Sequence, residues 1–310
     1  MSGKASMRSE SVMLGVLAIV LTVFAMSTAD AIVKYVSSAF PLWQIYVVRS
    51  LVVIPILAAV SVLGPQPVRI GPKSKGWTIL RSLLLAFMYI GIYAAAPVLS
   101  LSVIATSLYT GPLFIALFSA LLIREPVGPR RWTAIVMGFS GVLVILRPGA
   151  DGFSLLALIP IGAALLYALA AIVTRTKCRE ESPMVLALAL NYSLMAVGVL
   201  ATAAISLWRP SALETSAYPF LLGHWVAMGP REWGVISLLA ALMVGISVGL
   251  AKAYQSAPPT IIATFDYTYL LFAAFWSFAL FAQVPDAATV VGMLMIAAAG
   301  VLIVGRAATA

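Results

Sequence analysis

Six ionisable side chains stand inside long apolar runs: Asp30, Lys34, Arg49, Arg81, Lys252 and Asp266. Each costs about 2.5–3.5 kcal/mol at the centre of a membrane-spanning helix, so those that persist are expected to be functional or paired. Asp30 and Lys34 are one helical turn apart and share a face. With Arg49 they make one acid and two bases toward one end of the first two apolar runs. Such a triad could clamp two helices together, with Lys34 snorkelling outward. It could equally gate a passage, Arg49 offering a carboxylate a two-pronged grip. Arg81, Lys252 and Asp266 lie toward the opposite end. Arg81 is close enough to the interface to snorkel. Lys252 is the nearest cation to Asp266 by depth, and a buried acid so placed could carry a proton or latch a gate.

A second set is polar or aromatic but uncharged. Tyr89 and Tyr93 are four residues apart and share a helix face. Tyr109, Tyr167, Asn191, Tyr192 and Ser247 also fall well inside apolar runs, and Trp276 lies in the outer part of one. Interfacial anchoring is the usual role of Tyr and Trp in membranes, and it suits Trp43, Trp77, Trp132 and Trp233 at the run ends. It suits Tyr89, Tyr109 and Tyr167 poorly, because a hydroxyl at mid-membrane wants a partner or a cavity. Aromatic faces lining a cavity would stack on a planar ligand while Asn191 and hydroxyls orient its polar end. Packing in the core is the competing role for each.

Other chemistry is poorly provided for. His224 is the sole histidine and Cys178 the sole cysteine, so the chain holds no internal disulfide and no cysteine-based metal site. A Gly-rich loop ending in Lys-Ser/Thr is absent, which removes ATP drive within this chain. An enzyme would need a catalytic constellation that these residues do not make. The reading therefore calls for no catalytic residue, metal or cofactor.

The elements that position these residues follow from composition. The chain has 310 residues, 63% hydrophobic and 9% charged, where soluble domains carry about 25% charged and 45–50% apolar residues. No aqueous core could hide that much apolar surface, so its solvent is lipid. At roughly 20 residues per span, about ten helices fit. They are read at 11–36, 41–63, 76–96, 98–123, 131–146, 154–174, 183–207, 233–254, 260–282 and 285–304. Gly and Pro inside apolar runs suit helices rather than the alternating strands of a barrel. A cleaved leader is not expected, since the run from Ser11 to Val36 is too long and lacks a small-residue cleavage end. The stretch from Trp208 to Glu232 is the longest connection and reads as an interfacial loop or short helix. Gly245 with Gly249, and Gly138 with Gly141, would give thin helix faces for close packing.

One block is written twice. Ile104-Ala105-Thr106, Tyr109-Thr110, Phe114, Ser119, Pro126, Gly141 and Arg147 return as Ile262-Ala263-Thr264, Tyr267-Thr268, Phe272, Ser277, Pro285, Gly300 and Arg306. Self-similarity of this kind marks a duplicated unit, with 1–148 as the first five-helix repeat and 149–310 as the second. Net charge is +9, but the bases sit in loops, which the positive-inside rule explains better than nucleic acid does. Lys4, Arg8, Arg69, Lys73, Lys75, Arg124, Arg130, Arg131, Arg175, Lys177, Arg179 and Arg306 fall on one side, and Arg147, Arg209 and Arg231 on the other. Both termini are therefore expected in the cytoplasm, in a multi-pass inner-membrane protein. An odd number of spans per half makes the halves inverted around a central cavity.

The duplicated block, Arg124-Glu125-Pro126 closing the fourth run, Gly138 and Gly141 in the fifth, and Arg147 after it resemble the drug/metabolite transporter superfamily, in particular its EamA-type members. The likeness covers nearly the whole chain. Glu125 has no acidic counterpart near Gln283, so no symmetric role follows for it. The resemblance implies ten spans, cytoplasmic ends, a cavity lined by spans 1–4 and 6–9, and supporting spans 5 and 10. Within the family the likeness is to exporters of aromatic amino acids.

These readings converge on a secondary transporter that exports small amphipathic metabolites, amino acids including aromatic ones foremost, by alternating access. Substrate contacts are expected from Tyr89, Tyr93, Tyr109, Tyr167, Asn191, Ser247 and Trp276. Gating or coupling is expected from Asp30, Lys34, Arg49, Lys252 and Asp266. Its partners would be a small-molecule substrate and the lipid bilayer, with no nucleic acid, and a monomer is compatible with that. Sugar-phosphate or nucleotide-type cargo is the main rival and would want several bases at mid-depth. A channel or a membrane enzyme is the more distant alternative.

Overall fold

A computed structural model describes residues 2–63, 71–108, 110–122, 129–146, 155–178, 180–256, 265 and 268–304. Tyr109 and Asp266 lie outside that set, and of Lys252 only the backbone is described.

The described residues fold into helices. These are α1 (Ser2–Val36), α2 (Leu42–Leu63), α3 (Lys75–Ala95), α4 (Leu101–Leu108), α5 (Gly111–Leu122), α6 (Pro129–Leu146) and α7 (Leu158–Lys177). The chain continues as α8 (Pro183–Trp208), α9 (Ala212–Ala217), α10 (Pro219–Leu222), α11 (Pro230–Ser256), α12 (Thr268–Phe281) and α13 (Ala287–Val304). Five stretches are long and apolar enough to cross a membrane: Met13–Val36, Leu42–Leu63, Lys75–Ala95, Pro183–Trp208 and Pro230–Gly249. At 1.5 Å per residue each reaches about 30 Å, the thickness of the hydrocarbon core. Leu158–Thr174, Thr268–Phe281 and Ala287–Ala299 are shorter apolar helices. Large apolar side chains such as Leu21, Leu51, Phe87, Leu200, Leu271 and Phe278 face outward, as lipid solvation allows.

The run expected as one helix over 98–123 is broken. α4 ends at Leu108 and α5 begins at Gly111, with Thr110 in a turn whose hydroxyl donates to the Ser107 carbonyl at 2.6 Å. Pro112 is the cause. It has no N–H to give the preceding turn, so a helix running through would lose that hydrogen bond.

Packing runs mainly between the two parts of the chain. α1 lies against α11 and α12, α2 against α8 and α11, and α3 against α7 and α8. α4 meets α12, α5 meets α7, and α6 meets α13. Exchanging α1 with α7, α2 with α8, α3 with α11, α4–α5 with α12 and α6 with α13 returns the same set of pairings. The α6–α13 seam is very close, since a Cβ on Gly141 would stand 2.9 Å from the Gly292 carbonyl oxygen. Small residues permit that approach.

The largest core joins α1, α2, α3, α8 and α11 around Ile45, Tyr46, Leu57, Leu194 and Leu239. α2 contributes the most to it, and Pro55 is accommodated inside that helix. The long connection after α8 folds back over this core. Phe220 is buried, the Trp43 indole N–H donates to the Leu221 carbonyl at 2.7 Å, and the Gln44 amide exchanges two hydrogen bonds with Val226 at 2.8 and 3.0 Å. The short helix α9 carries a capping box in which Ser211 and Glu214 satisfy each other.

Candidate functional site: a carboxylate clasped across the helix seam

Asp30 sits on α1 six residues before its C-terminal end. Its two carboxylate oxygens are taken separately. Tyr93 Oη on α3 donates to Oδ1 at 3.0 Å and Tyr269 Oη on α12 donates to Oδ2 at 2.6 Å. Both rings are buried, at 2% and 3% exposure. The clasp thus joins a tyrosine from before the central break with one from after it. Hydrogen bonds to a charged group are worth about 1.5–3 kcal/mol each, which offsets part of the cost of holding a carboxylate in an apolar core.

An aromatic wall continues from Tyr93. Tyr89 stacks on it with centroids 6.0 Å apart and planes at 28°. Tyr46 on α2 lies 6.1 Å away. The Arg49 guanidinium lies over the Tyr46 ring, 5.6 Å from its centroid, a cation–π contact. Arg49 is 2% exposed, and its Nε and Nη2 have no hydrogen-bond partner. The Tyr46 hydroxyl is likewise buried and unpartnered. Arg49 makes an electrostatic contribution at Asp30, yet the described residues contain no Asp30–Arg49 ion pair.

The triad of Asp30, Lys34 and Arg49 therefore does not form as a clamp of α1 on α2. Lys34 points elsewhere. Its ammonium donates to the carbonyls of Ala96 and Leu99, in the turn joining α3 to α4, and lies 5.3 Å from the centroid of the Phe281 ring. At 9% exposure it does not snorkel. The reason is local: Pro97 ends α3 and leaves carbonyls without helical partners, and an ammonium satisfies them. Arg81 is also held inside rather than reaching out. Its Nε donates to Thr174 Oγ1 at 3.2 Å and its Nη1 to the Leu186 carbonyl at 3.1 Å, bridging α7 and α8.

The remaining candidates scatter. Tyr167 on α7 packs against Gly111, where a Cβ would lie 3.0 Å from its ring. Asn191 is fully buried, donates to the Ala187 carbonyl of its own helix and leaves Oδ1 without a partner. Tyr192 is 50% exposed. Ser247 donates to the Met243 carbonyl one turn back. Trp276 packs against Phe24, tilted at 34°, and against Phe275 edge to face, with its indole N–H buried and unpartnered. Tyr109, Lys252 and Asp266 cannot be added to this geometry, since the described side chains do not include them. Outside the helices that cross the core, hydrogen bonds from the Ser211 backbone and hydroxyl hold the Glu214 carboxyl below its ordinary range.

Two members of the cluster escaped the sequence reading. Tyr46 carried a signal, because it precedes Arg49 by three residues and so shares its helix face. Tyr269 carried none of that kind, since its partner is distant in the chain.

The fold and this buried polar cluster define a multi-pass helical membrane protein whose only strong internal chemistry lies, among the described residues, where helices of the two parts meet. Residues 13–147 match the EamA-like transporter family. The chain thus resembles the EamA-like transporters of the drug/metabolite type. It is similar to the riboflavin transporter of Vibrio cholerae, 27% identical over 241 residues, which is 77% of this chain and 74% of that protein. It is 27% identical over 229 residues to the S-adenosylmethionine uptake transporter of Rickettsia prowazekii, covering 73% of this chain and 70% of that one. With the pseudopaline exporter of Pseudomonas aeruginosa it shares 24% identity over 287 residues, 92% of this chain and 94% of that protein. A solved crystal structure superposes with a TM-score of 0.62 at 17% identity, covering 97% of this chain and 99% of that one. That likeness is one of fold.

Proposed function

We propose that this protein is a secondary transporter of small amphipathic, ring-bearing metabolites, amino acids including aromatic ones foremost, working by alternating access. Its helices make ten spans when α4 and α5 count as one broken crossing and the shorter apolar helices as crossings too. Five spans per half set the halves in opposite directions, with both termini cytoplasmic. The exchange symmetry of the helix pairings supports this, as does the one-sided distribution of basic residues.

The observation that carries the reading is the Asp30 clasp between Tyr93 and Tyr269. A charged group held by phenols from both halves is a contact that rocking the halves must make and break. Two further sets of ties would close the outer side: Lys34 on the Ala96 and Leu99 carbonyls, and Trp43 and Gln44 on the connection after α8. Asp30, Lys34 and Arg49 are then gate or coupling residues. Tyr89 and Tyr93 offer a ring a stacking face.

The relatives named for riboflavin and S-adenosylmethionine favour one variation on this reading, in which the cargo is a larger heterocycle rather than a free amino acid. Both readings ask for the same aromatic wall.

Counterflow in proteoliposomes tests the proposal. Vesicles loaded with unlabelled phenylalanine, tryptophan or riboflavin should accumulate the matching labelled compound, and Asp30→Ala should abolish the accumulation. Uptake that shows no acceleration by internal substrate would point to a channel. Uptake of none of these compounds would remove the ring-bearing cargo. Imposing a pH gradient separates proton-coupled export from facilitated exchange.

A further inference from the structure

We propose that Arg49 is the anchor for a carboxylate on the cargo, so that the transported molecule is a small aromatic carboxylate. This rests on the transporter reading above.

Three cations whose side chains are described lie within the helical core, and they are not equivalent. Lys34 gives its protons to two backbone carbonyls. Arg81 gives its own to a threonine hydroxyl and a carbonyl. Both have donors already engaged within the chain. Arg49 is more deeply buried than Lys34, at 2% exposure against 9%, and its Nε and Nη2 donate to nothing. Those two nitrogens present the parallel N–H bonds along one edge of the guanidinium, the edge that receives both oxygens of a carboxylate. The guanidinium carbon lies over the Tyr46 ring, and Nε and Nη2 remain without hydrogen-bond partners.

The obvious internal acid does not fill it. Asp30 is near enough to feel the Arg49 charge, but both of its oxygens already accept from Tyr93 and Tyr269. A buried guanidinium with unspent donors is a costly thing to keep, and a cargo carboxylate would satisfy it. The unpartnered Tyr46 hydroxyl beside it could donate to the same anion. The stacked Tyr89 and Tyr93 rings would hold the cargo's ring next to it.

Charge count selects carboxylate over phosphate. A dianionic phosphate calls for a second cation, and Lys34 and Arg81 are already engaged. With the Asp30 carboxylate already near the unspent Arg49 guanidinium, a monoanion adds less unmatched charge than a dianion would. Because Arg49 is sealed between helices here, the cargo would reach it when α2 and α3 part.

The test uses the purified full chain in proteoliposomes, with counterflow of four related probes and riboflavin. Phenylalanine and 3-phenylpropionate carry the carboxylate, phenethylamine lacks it, and phenyl phosphate replaces it. The wild type should exchange the first two and exchange phenethylamine about tenfold less or worse. Arg49→Met should lose about tenfold or more of the carboxylate exchange, and Arg49→Lys should restore part of it. If Arg49→Met fails to fold, quenching of the wild type's intrinsic fluorescence by the same probes gives the same ranking. Equal handling of phenethylamine and phenylalanine overturns the proposal, and so does a preference for phenyl phosphate. Riboflavin exchange that survives Arg49→Met, with no exchange of the carboxylates, overturns it while leaving the transporter reading intact. Exchange of no probe, riboflavin included, removes both.

Discussion

Tyr269 and Tyr167 enter related helix seams from opposite sides and do different things there. The register that sets Ile104 against Ile262 sets Gly111 against Tyr269, and the helix pairings set α1 against α7. In one seam a tyrosine on α12 reaches across to Asp30 on α1. In the other the seat on α5 is Gly111, and the ring comes from the opposite side, from Tyr167 on α7. Both seams take a tyrosine ring, and in the α1–α12 seam that ring's hydroxyl is set on a carboxylate. If the halves are the duplicated units we propose, a ring was kept in each seam while it came to be supplied from opposite sides. A carrier needs two near-equivalent scaffolds and a single site, and this division supplies both.

The largest effects should come from breaking the charged seam. Asp30→Asn removes the anion that both phenols hold, and counterflow should fall about 100-fold if that anion helps balance the two states, since two charged hydrogen bonds are worth about 3–6 kcal/mol together. Tyr269→Phe should cost about tenfold, and Tyr93→Phe less, in line with its longer 3.0 Å bond against 2.6 Å. Equal and small losses for all three would mean that the clasp is packing and no more.

A smaller effect sharpens the same comparison through two glycines. Gly91 on α3 and Gly249 on α11 stand in the same register as Gly111 and Tyr269. A Cβ on Gly249 would fall 2.2 Å from Thr22 Oγ1 on α1, and the Thr22 hydroxyl is itself fixed on the Ala18 carbonyl at 2.7 Å. A Cβ on Gly91 would meet Ala163 on α7 at 3.3 Å. Gly249→Ala should therefore lower stability by about 1–3 kcal/mol through overpacking. Gly91→Ala should lie near zero, the helix preference for Ala of about 0.5–1 kcal/mol offsetting a slight squeeze. Gly245→Ala, which meets nothing within 4 Å, should be neutral or stabilising. Thermal midpoints of the three variants in detergent would rank them. A Gly245 variant as damaged as the Gly249 one would contradict the seam described here.

Helix positions were legible in the sequence because the run of apolar residues must match the bilayer, and length alone sets that. The break near Thr110 was legible in principle from Gly111-Pro112, yet the apolar character around it hid the turn. Sorting charges by depth grouped Asp30, Lys34 and Arg49 but could not choose their partners. Lys34 binds backbone carbonyls, which every residue has and no sequence pattern marks. Asp30 binds Tyr269, a residue 239 positions away, and only the folded pairing of α1 with α12 makes them neighbours. Tyr46 was within reach of the argument, since helical spacing from Arg49 places its ring beside the guanidinium. Gly245 and Gly249 looked alike as a small-residue face, and only the neighbour at each position separates them.

The smallest effect concerns a segment that lies outside the exchange symmetry. α9 follows α8 in the long connection, and its capping box is fully exposed: Glu214 accepts from the Ser211 N–H and from its hydroxyl, both at 2.8 Å. These bonds favour the ionised carboxyl and hold it below its ordinary value of 4.5. The sign then follows from linkage. Because the folded value lies below the unfolded one, the cap's contribution is complete above the ordinary value and is lost as pH falls through the depressed one. Amide exchange in α9 should be flat from neutral pH to about 5 after correction for intrinsic rates, and should quicken relative to them below about 4. Glu214→Gln should remove that pH step and leave counterflow unchanged, since nothing in the cap touches the Asp30 clasp or the Arg49 edge. A transport defect in Glu214→Gln would tie this connection to the moving parts and extend the asymmetry of the halves beyond the charged seam.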